Sequence, residues 1–170
     1  MHKIYFKKLS PTAIIPSYGN DDNSNAGIDI YSNEFIIVEA HSSAIVHTGI
    51  AWEFAFDYEF SYIDYDSYGL ASFAKYDWKK YWKPYLQIKG RSGLAFKYGV
   101  EVTNAGVVDQ DYRGEITCKL YNHSEKYYTV NQRDRVAQAI PMLIPKVQVF
   151  ETDTLSITDR GHKGFGSTGK

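Results

Sequence analysis

The sequence predicts an all-β antiparallel sandwich or barrel of the jelly-roll kind. Period-2 alternation and short β-branched runs recur along the chain, bounded by Gly, Pro, Asn and Asp. Helical periodicity is almost absent, which separates this pattern from α/β folds. A length of 170 residues with 44% hydrophobic content suits one domain, residues 1–170, with a core of its own. In chain order the candidate strands are Lys3–Leu9, Ile28–Tyr31, Phe35–Val38, Ala44–Thr48, Trp52–Tyr62, Leu86–Lys89, Gly114–Leu120, Lys126–Val130, Arg135–Ile140 and Lys146–Phe150. A single short helix is expected over Gly93–Tyr98, with Ser92 as its cap. No internal repeat and no Pro- or Ser-rich linker divides the chain.

Composition narrows the function classes. A formal net charge of −1 gives no electrostatic case for duplex DNA or an anionic membrane surface. The single cysteine, Cys118, excludes an intrachain disulfide framework and a multi-cysteine zinc site. It alternates with Ile116 and Leu120, so a buried strand thiol is expected rather than a nucleophile. Residues 1–9 carry no apolar run of signal-peptide length, and Gln138, Pro141, Pro145 and Lys146 interrupt the most apolar stretch. The expectation is a soluble protein of the cytoplasm or, for a viral protein, of the host-cell interior.

One region is anomalous. Of 27 Phe, Trp and Tyr residues, 14 fall between Trp52 and Tyr85, so the rings are concentrated far beyond chance placement. Trp52, Phe54, Phe56, Tyr58, Phe60 and Tyr62 alternate, which places six rings on one face if the strand is continuous. Past a turn near Asp66–Gly69, lysines interleave with rings from Lys75 to Lys83.

Five segments carry more chemistry than a framework needs. Ala26–Ser32 places one carboxylate, Asp29, inside an apolar strand, as a turn acid or as a site carboxylate near a hydrated cation. Gly90–Ala95 offers free N–H groups, a hydroxyl and a guanidinium, as a plain helix cap or as a phosphate site. Asn104–Ile116 reads as a hairpin with polar residues at its tip, where Asp109 and Asp111 share a face if the chain is extended; either an Asp-rich turn or a base for water fits. In Arg135–Ile140, Gln138 points the same way as Val136 and Ile140 and needs a hydrogen-bond partner. Residues 159–169 combine four glycines with Arg160, Ser167, Thr168 and the isolated ring of Phe165, as a disordered terminus or as a lid for a nucleotide.

In this order and company, AGIDIYS, GRSGLA, NAGVVDQDYRGEI, RVAQAI and RGHKGFGSTG resemble the five motifs of the trimeric deoxyuridine triphosphatases (dUTPases). The resemblance covers the whole chain except the aromatic block. It implies a jelly roll with one short helix, a homotrimer, and an active site between subunits closed by the C-terminal tail, residues 159–170. The implied reaction is Mg²⁺-dependent hydrolysis of dUTP to dUMP and pyrophosphate, which keeps uracil out of DNA and supplies dUMP for thymidylate synthesis. By the same resemblance Asp109 activates the water that attacks the α-phosphate. Asn104, Gly106, Val108 and Tyr112 surround uracil and deoxyribose, and Phe165 stacks on the base. Arg91, Ser92, Gly93, Gln138, Arg160, Gly166, Ser167 and Thr168 face the phosphates, Arg135 braces the site, and Asp29 holds Mg²⁺ through water.

Two departures stand out. Arg133 occupies a position where the family usually carries glycine. The spacing between the first two motifs is longer than usual by roughly two dozen residues, a length that tends to have a purpose. The excess, residues 56–84, is expected to form a β-hairpin arm that covers its rings against the same or a neighbouring subunit, or docks a protein partner; its acidic residues disfavour nucleic acid. The competing functions are a regulatory protein-binding dUTPase acting through that arm, and a dCTP deaminase sharing the architecture. Tyr112 and the glycine-rich tail speak against the deaminase.

Overall fold

The computed structural model describes residues 2–19, 24–56, 60–65, 71–103, 106–162 and 164, with the backbone alone for 60–65 and 71–76. The strands are β1 Lys3–Lys8, β2 Ser17–Tyr18, β3 Ile28–Tyr31, β4 Ile36–Val38, β5 Ser43–His47, β6 Ile50–Ala55, β7 Phe60–Tyr65, β8 Ala71–Tyr76, β9 Trp82–Lys89, β10 Val100–Val102, β11 Val107–Asp109, β12 Thr117–Asn122, β13 Tyr128–Val130 and β14 Arg135–Pro145. Two short helices, α1 Trp78–Tyr81 and α2 Ser92–Tyr98, flank β9. The largest sheet runs β11-β9-β14-β3-β2, a second runs β10-β12-β5, and β1-β6, β13-β4 and β7-β8 form two-stranded ribbons; every pairing is antiparallel. The protein is a β jelly roll.

Alternation along the strands fills one core between these sheets. On β9, Pro84, Leu86 and Ile88 point inward while their neighbours are partly exposed. On β12, Cys118 and Leu120 are buried, and they meet Ile30, Val46, Ile50, Trp52, Val100 and Ile116 in one cluster. Burial pushes the Cys118 thiol up to about 12, so it stays protonated and serves as a small hydrophobe. Asn122, fully buried on the same face, is satisfied on both ends of its amide. Its Nδ2 donates to the carbonyls of Val38 and Lys126 at 3.0 and 2.7 Å, and its Oδ1 accepts from the Ser124 N–H and hydroxyl at 3.0 and 2.8 Å.

The structure differs from the sequence expectation at several elements. The stretch Trp52–Tyr62 is two strands, not one: β6 ends at Ala55 and β7 begins at Phe60. Trp52 is buried in the core, whereas Phe54 and Phe56 pack against each other and against His2 at 5.0–5.6 Å. β7 pairs with β8 from Phe60↔Tyr76 to Tyr65↔Ala71 and, among the described residues, with no other strand. The cap of α2 is Arg91 without a side-chain bond, and Ser92 is the first helical residue. The described residues hold two helices rather than one; Asp77 starts α1 by accepting the Lys79 N–H at 2.9 Å, a polar start hidden among aromatics in the sequence.

β14 continues through Pro141 to Pro145, beyond its expected end at Ile140, and Lys146–Phe150 forms no strand. β3 stops pairing with β14 at Ala139, so from Pro141 onward β14 has, among the described residues, only β9 as a ladder partner and a missing N–H is tolerated. Val147, Val149 and Phe150 have strand-forming side chains but, among the described residues, no partner strand, and they are exposed.

Two local features anchor the connections. Arg133 adopts φ +77° in the turn between β13 and β14, donating its N–H to the Ser32 carbonyl at 2.8 Å. The glycine-type geometry is therefore kept by a residue with a Cβ. At the β5–β6 turn, Gly49 has φ +68°, and its N–H is accepted by Glu115 Oε1 at 2.7 Å. Glu115 Oε2 meets His47 Nδ1 at 2.8 Å. The bond and charge of Glu115 raise the His47 pKa against a small opposing effect of burial. For Glu115, burial pushes upward, but the bonds from His47 and from the Gly49 and Thr48 N–H groups outweigh it and lower the pKa.

Replacing Arg133 by glycine is expected to raise the unfolding free energy by about 0.5–1 kcal/mol, because relief of left-handed strain exceeds the added entropy of the unfolded chain. Urea denaturation checks this, and a loss of stability would show Arg133 to be unstrained. The His47–Glu115 pair carries a pH signature. A raised histidine contributes fully below 6.5 and loses its contribution as pH rises through the folded value; a lowered glutamate contributes above 4.5 and loses it as pH falls. The stability difference between the native protein and His47→Gln is therefore greatest between pH 4.5 and 6.5 and shrinks as pH rises through the raised histidine value, measured by urea titration at each pH.

Candidate active site

One group of motif residues surrounds a polar cavity of about 250 Å³ bordered by Gly27, Asp29, Arg91, Arg135 and Gln138. β3 contributes Asp29, which is 5% exposed because β14 and β2 flank its strand on both sides. Its carboxylate is held by two guanidiniums, Arg91 Nε at 3.4 Å from Oδ1 and Arg135 Nη1 at 3.2 Å from Oδ2. Arg91 Nη1 also donates to the Arg135 carbonyl at 3.2 Å, tying the start of α2 to the start of β14. Two guanidiniums against one carboxylate leave the cavity one positive charge in excess, which favours an anion.

Gln138 lies opposite Asp29 in the β14–β3 register. A register shift between Arg135 and Ala137 turns it toward this polar cavity rather than into the apolar company its alternation suggested. A Cβ at Gly27 would sit 2.5 Å from Gln138 Oε1 and 2.9 Å from its Cβ, so only glycine lets the two strands' side chains meet here. Ser92 and Gly93 are exposed on the first turn of α2, and a Cβ at Gly93 would meet open space. The hydroxyl and the small residue thus border solvent beside Arg91.

A second group sits on the opposite edge of the large sheet. Gly106, at φ +79°, accepts the Ile88 N–H at 2.6 Å and starts β11, which pairs with β9 through Val107↔Gln87, Val108↔Leu86 and Asp109↔Tyr85. The segment is therefore not a self-paired hairpin among the described residues: one leg pairs with β9, and the return leg docks on β6 through Ile116 N–H to the Ile50 carbonyl at 2.9 Å. The chain bends after Asp109, where the Tyr112 N–H reaches the Asp109 carbonyl at 3.2 Å. Asp109 and Asp111 therefore do not lie along one extended face, although both border a cleft with Tyr85 and Lys83. Arg113 braces this bend, donating to the Gln110 carbonyl at 2.6 Å and approaching Glu53 of β6 at 3.5 Å. The Tyr112 ring lies over Gly114, where a Cβ would collide with the phenolic oxygen, and its hydroxyl donates to the Glu115 carbonyl at 3.1 Å. One ring face remains available, with 47% of the residue exposed.

The two groups are far apart within one chain. From Asp109 to Gln138 there are two strand spacings of about 4.8 Å across the sheet and four residues of about 3.3 Å along it, roughly 16 Å between main chains. A base acts within about 3 Å of the proton it removes, so one copy does not bring both groups to a single phosphorus. Arg160 is exposed in a tight turn near the end of the chain, where the Gly161 N–H donates to the Thr158 carbonyl at 3.0 Å. Asn104, Phe165, Gly166, Ser167 and Thr168 lie outside the described residues. His47, Glu53 and Arg113, which support the second group, were not singled out from sequence. Glu115 stood inside a quoted motif without a role, and the only signal for it was a carboxylate directly before an apolar strand.

Among the described residues no group of three or more His, Cys, Asp or Glu side chains could hold a metal. Asp29 is the only carboxylate bordering the arginine cavity among the described residues, and each of its oxygens already faces a guanidinium. This donor set fits a hold through metal-bound water and does not fit direct ligation by the protein. Among the described residues no helix is long and apolar enough to cross a membrane.

Residues 74–169 match the dUTPase family model. The deoxyuridine 5′-triphosphate nucleotidohydrolase of Nautilia profundicola is 37% identical over 169 residues, which is 99% of each chain. The solved Staphylococcus bacteriophage 80alpha dUTPase with dUPNHPP superposes with a TM-score of 0.76 at 20% identity, covering 99% of both chains. A mutant dUTPase of phage phi11 of S. aureus, described with a structural Mg(II) ion, superposes with a TM-score of 0.67 at 16% identity over 89% of this chain and 97% of that one. With the motif residues gathered in two groups on one jelly-roll sheet, this chain belongs to the dUTPase family.

Proposed function

We propose that the protein is a dUTP diphosphatase, hydrolysing dUTP to dUMP and pyrophosphate, and that it works as a homotrimer whose sites lie between subunits. The observation that carries this reading is the pair of half-sites about 16 Å apart, an arginine-lined anion cavity and an Asp109–Tyr112 bend, each well built and neither complete alone. Packing one copy's cavity against another copy's bend would join them.

In the joined site Asp109 accepts a proton from water as the water oxygen bonds to the α-phosphorus. The bond from that phosphorus to the bridging oxygen breaks, and pyrophosphate leaves. Such a transfer needs positioning and charge neutralisation more than covalent chemistry, which suits one carboxylate facing a set of donors. Ser92 and Gln138 supply neutral donors to the phosphates, and the Asp29–Arg91–Arg135 cluster keeps the cavity's shape and charge. Asp29 would hold Mg²⁺ through water, the ion neutralising triphosphate charge. Tyr112 places its open ring face against the deoxyribose and leaves no room for a 2′-hydroxyl, while main-chain groups around Gly106 and Val108 read the uracil edge. Residues 159–170 close over the nucleotide with Phe165 on the base and Arg160 on the γ-phosphate, expelling water. The expected arm over residues 56–84 is shortened at its end, because Trp82–Pro84 belong to β9 of the central sheet; the β7–β8 ribbon before it is a candidate contact for a protein partner.

The protein incubated with Mg²⁺ and dUTP, dCTP, dTTP or UTP separately should release pyrophosphate from dUTP alone. Ammonia from dCTP would identify a deaminase instead. Asp109→Asn should lower kcat by about 10²–10⁴-fold with little change in the trimer; retention of near-native kcat would remove Asp109 from the chemistry.

A further inference from the structure

The second half-site is held from below by groups that take no part in the reaction proposed above. Glu115 reaches under the β5–β6 turn, where Oε1 accepts the Gly49 N–H at 2.7 Å and Oε2 meets His47 Nδ1 at 2.8 Å. Gly49 can present its N–H this way because it sits at φ +68°, packed so closely on Ala13 and Asn33 that a Cβ would lie 2.9 Å from the Ala13 side chain. The next residue is pinned twice: the Ile116 N–H donates to the Ile50 carbonyl at 2.9 Å, and its own carbonyl accepts the Thr48 hydroxyl. The Tyr112 ring rests on this anchored segment alone among the contacts described, over Gly114 and with its hydroxyl on the Glu115 carbonyl at 3.1 Å.

We infer that Glu115 is a positioning residue for sugar selection, its carboxylate fixing the segment that sets the height and tilt of the Tyr112 ring. Excluding a single hydroxyl by a ring wall depends on where the ring stands to within less than an ångström. The Tyr112 hydroxyl alone would not fix the ring, because its acceptor is a main-chain carbonyl that moves with the segment. The carboxylate in the Thr48–Gly49 turn stops that movement, and His47 adds a second hydrogen-bonding partner at 2.8 Å that keeps it seated. The inference rests on the reading of Tyr112 as the deoxyribose wall.

The test is the ratio of kcat/KM for dUTP to that for UTP in Glu115→Ala, Glu115→Asp, Glu115→Gln and Tyr112→Ala, each checked for its oligomeric state. Glu115→Ala is expected to lower the ratio about tenfold, and Glu115→Asp, whose shorter carboxylate does not span Gly49 and His47 together, to lower it by about threefold or more. Glu115→Gln keeps an acceptor for the Gly49 N–H and should restore the ratio to within about threefold of native, a rescue that general loss of stability would not produce. Should Glu115→Ala fail to fold, the Asp and Gln variants decide the matter in the same way. A native ratio in Glu115→Ala and Glu115→Asp beside a collapsed ratio in Tyr112→Ala would overturn the role of Glu115 alone. A native ratio in Tyr112→Ala would overturn the reading of Tyr112 itself.

Discussion

The antiparallel pairing of β14 with β9 on one side and β3 on the other constrains the rest of this molecule. β14 is eleven residues long and, among the described residues, is the only strand that meets both. Its bulge after Arg135 faces Gln138 toward Asp29, and its unbroken run against β9 sets how far β11 lies from that pair. A slip of one residue would exchange every inward and outward side chain, burying Gln138 and exposing Ala139. Register therefore fixes the arginine-lined cavity and its distance from the Asp109–Tyr112 bend together.

Charge supports the same arrangement. Asp29 is buried, and a buried carboxylate is tolerated when it is paired and hydrogen-bonded. Two guanidiniums from different elements meet that requirement, so the cluster joins β3, α2 and β14 while leaving a positive excess for an anion. Removing either arginine would loosen a tertiary junction and lower the positive charge of the cavity. On the β11 side the carboxylate of Glu115 does comparable work in the Thr48–Gly49 turn, tying the loop after Asp109 to the β5–β6 strand pair.

Much of this was legible in the sequence, and the reasons for the rest are physical. Ile28–Tyr31 is a strand at the bounds read from its pattern, and Asp29 stood out there as a charge in an apolar run. Its partners did not, since Arg91 and Arg135 are distant in the chain and only the sheet brings them near. Cys118 followed from simple alternation and is buried. The strand end at Pro141 was misplaced because proline reads as a breaker until one sees that the β3 side of β14 has already ended. Lys146–Phe150 shows the reverse error, strand-like side chains without a neighbour to pair with. The motif around Asp109 was visible, but its support was not: a histidine on β5 and a glutamate on β6 carry no local signal of the segment they hold.

The central claim is that each active site draws its two halves from different copies of the chain. The most direct measurement mixes two inactive variants, Asp109→Asn and Arg91→Ala, by joint refolding and assays dUTP hydrolysis against each variant alone. A site that takes Asp109 from one copy and Arg91 from a neighbour is intact in about one case in four in an equal mixture, so activity should return to roughly a quarter of the native value. A mixture that forms trimers yet stays as inactive as its components would contradict the account, placing both residues at a site within one chain.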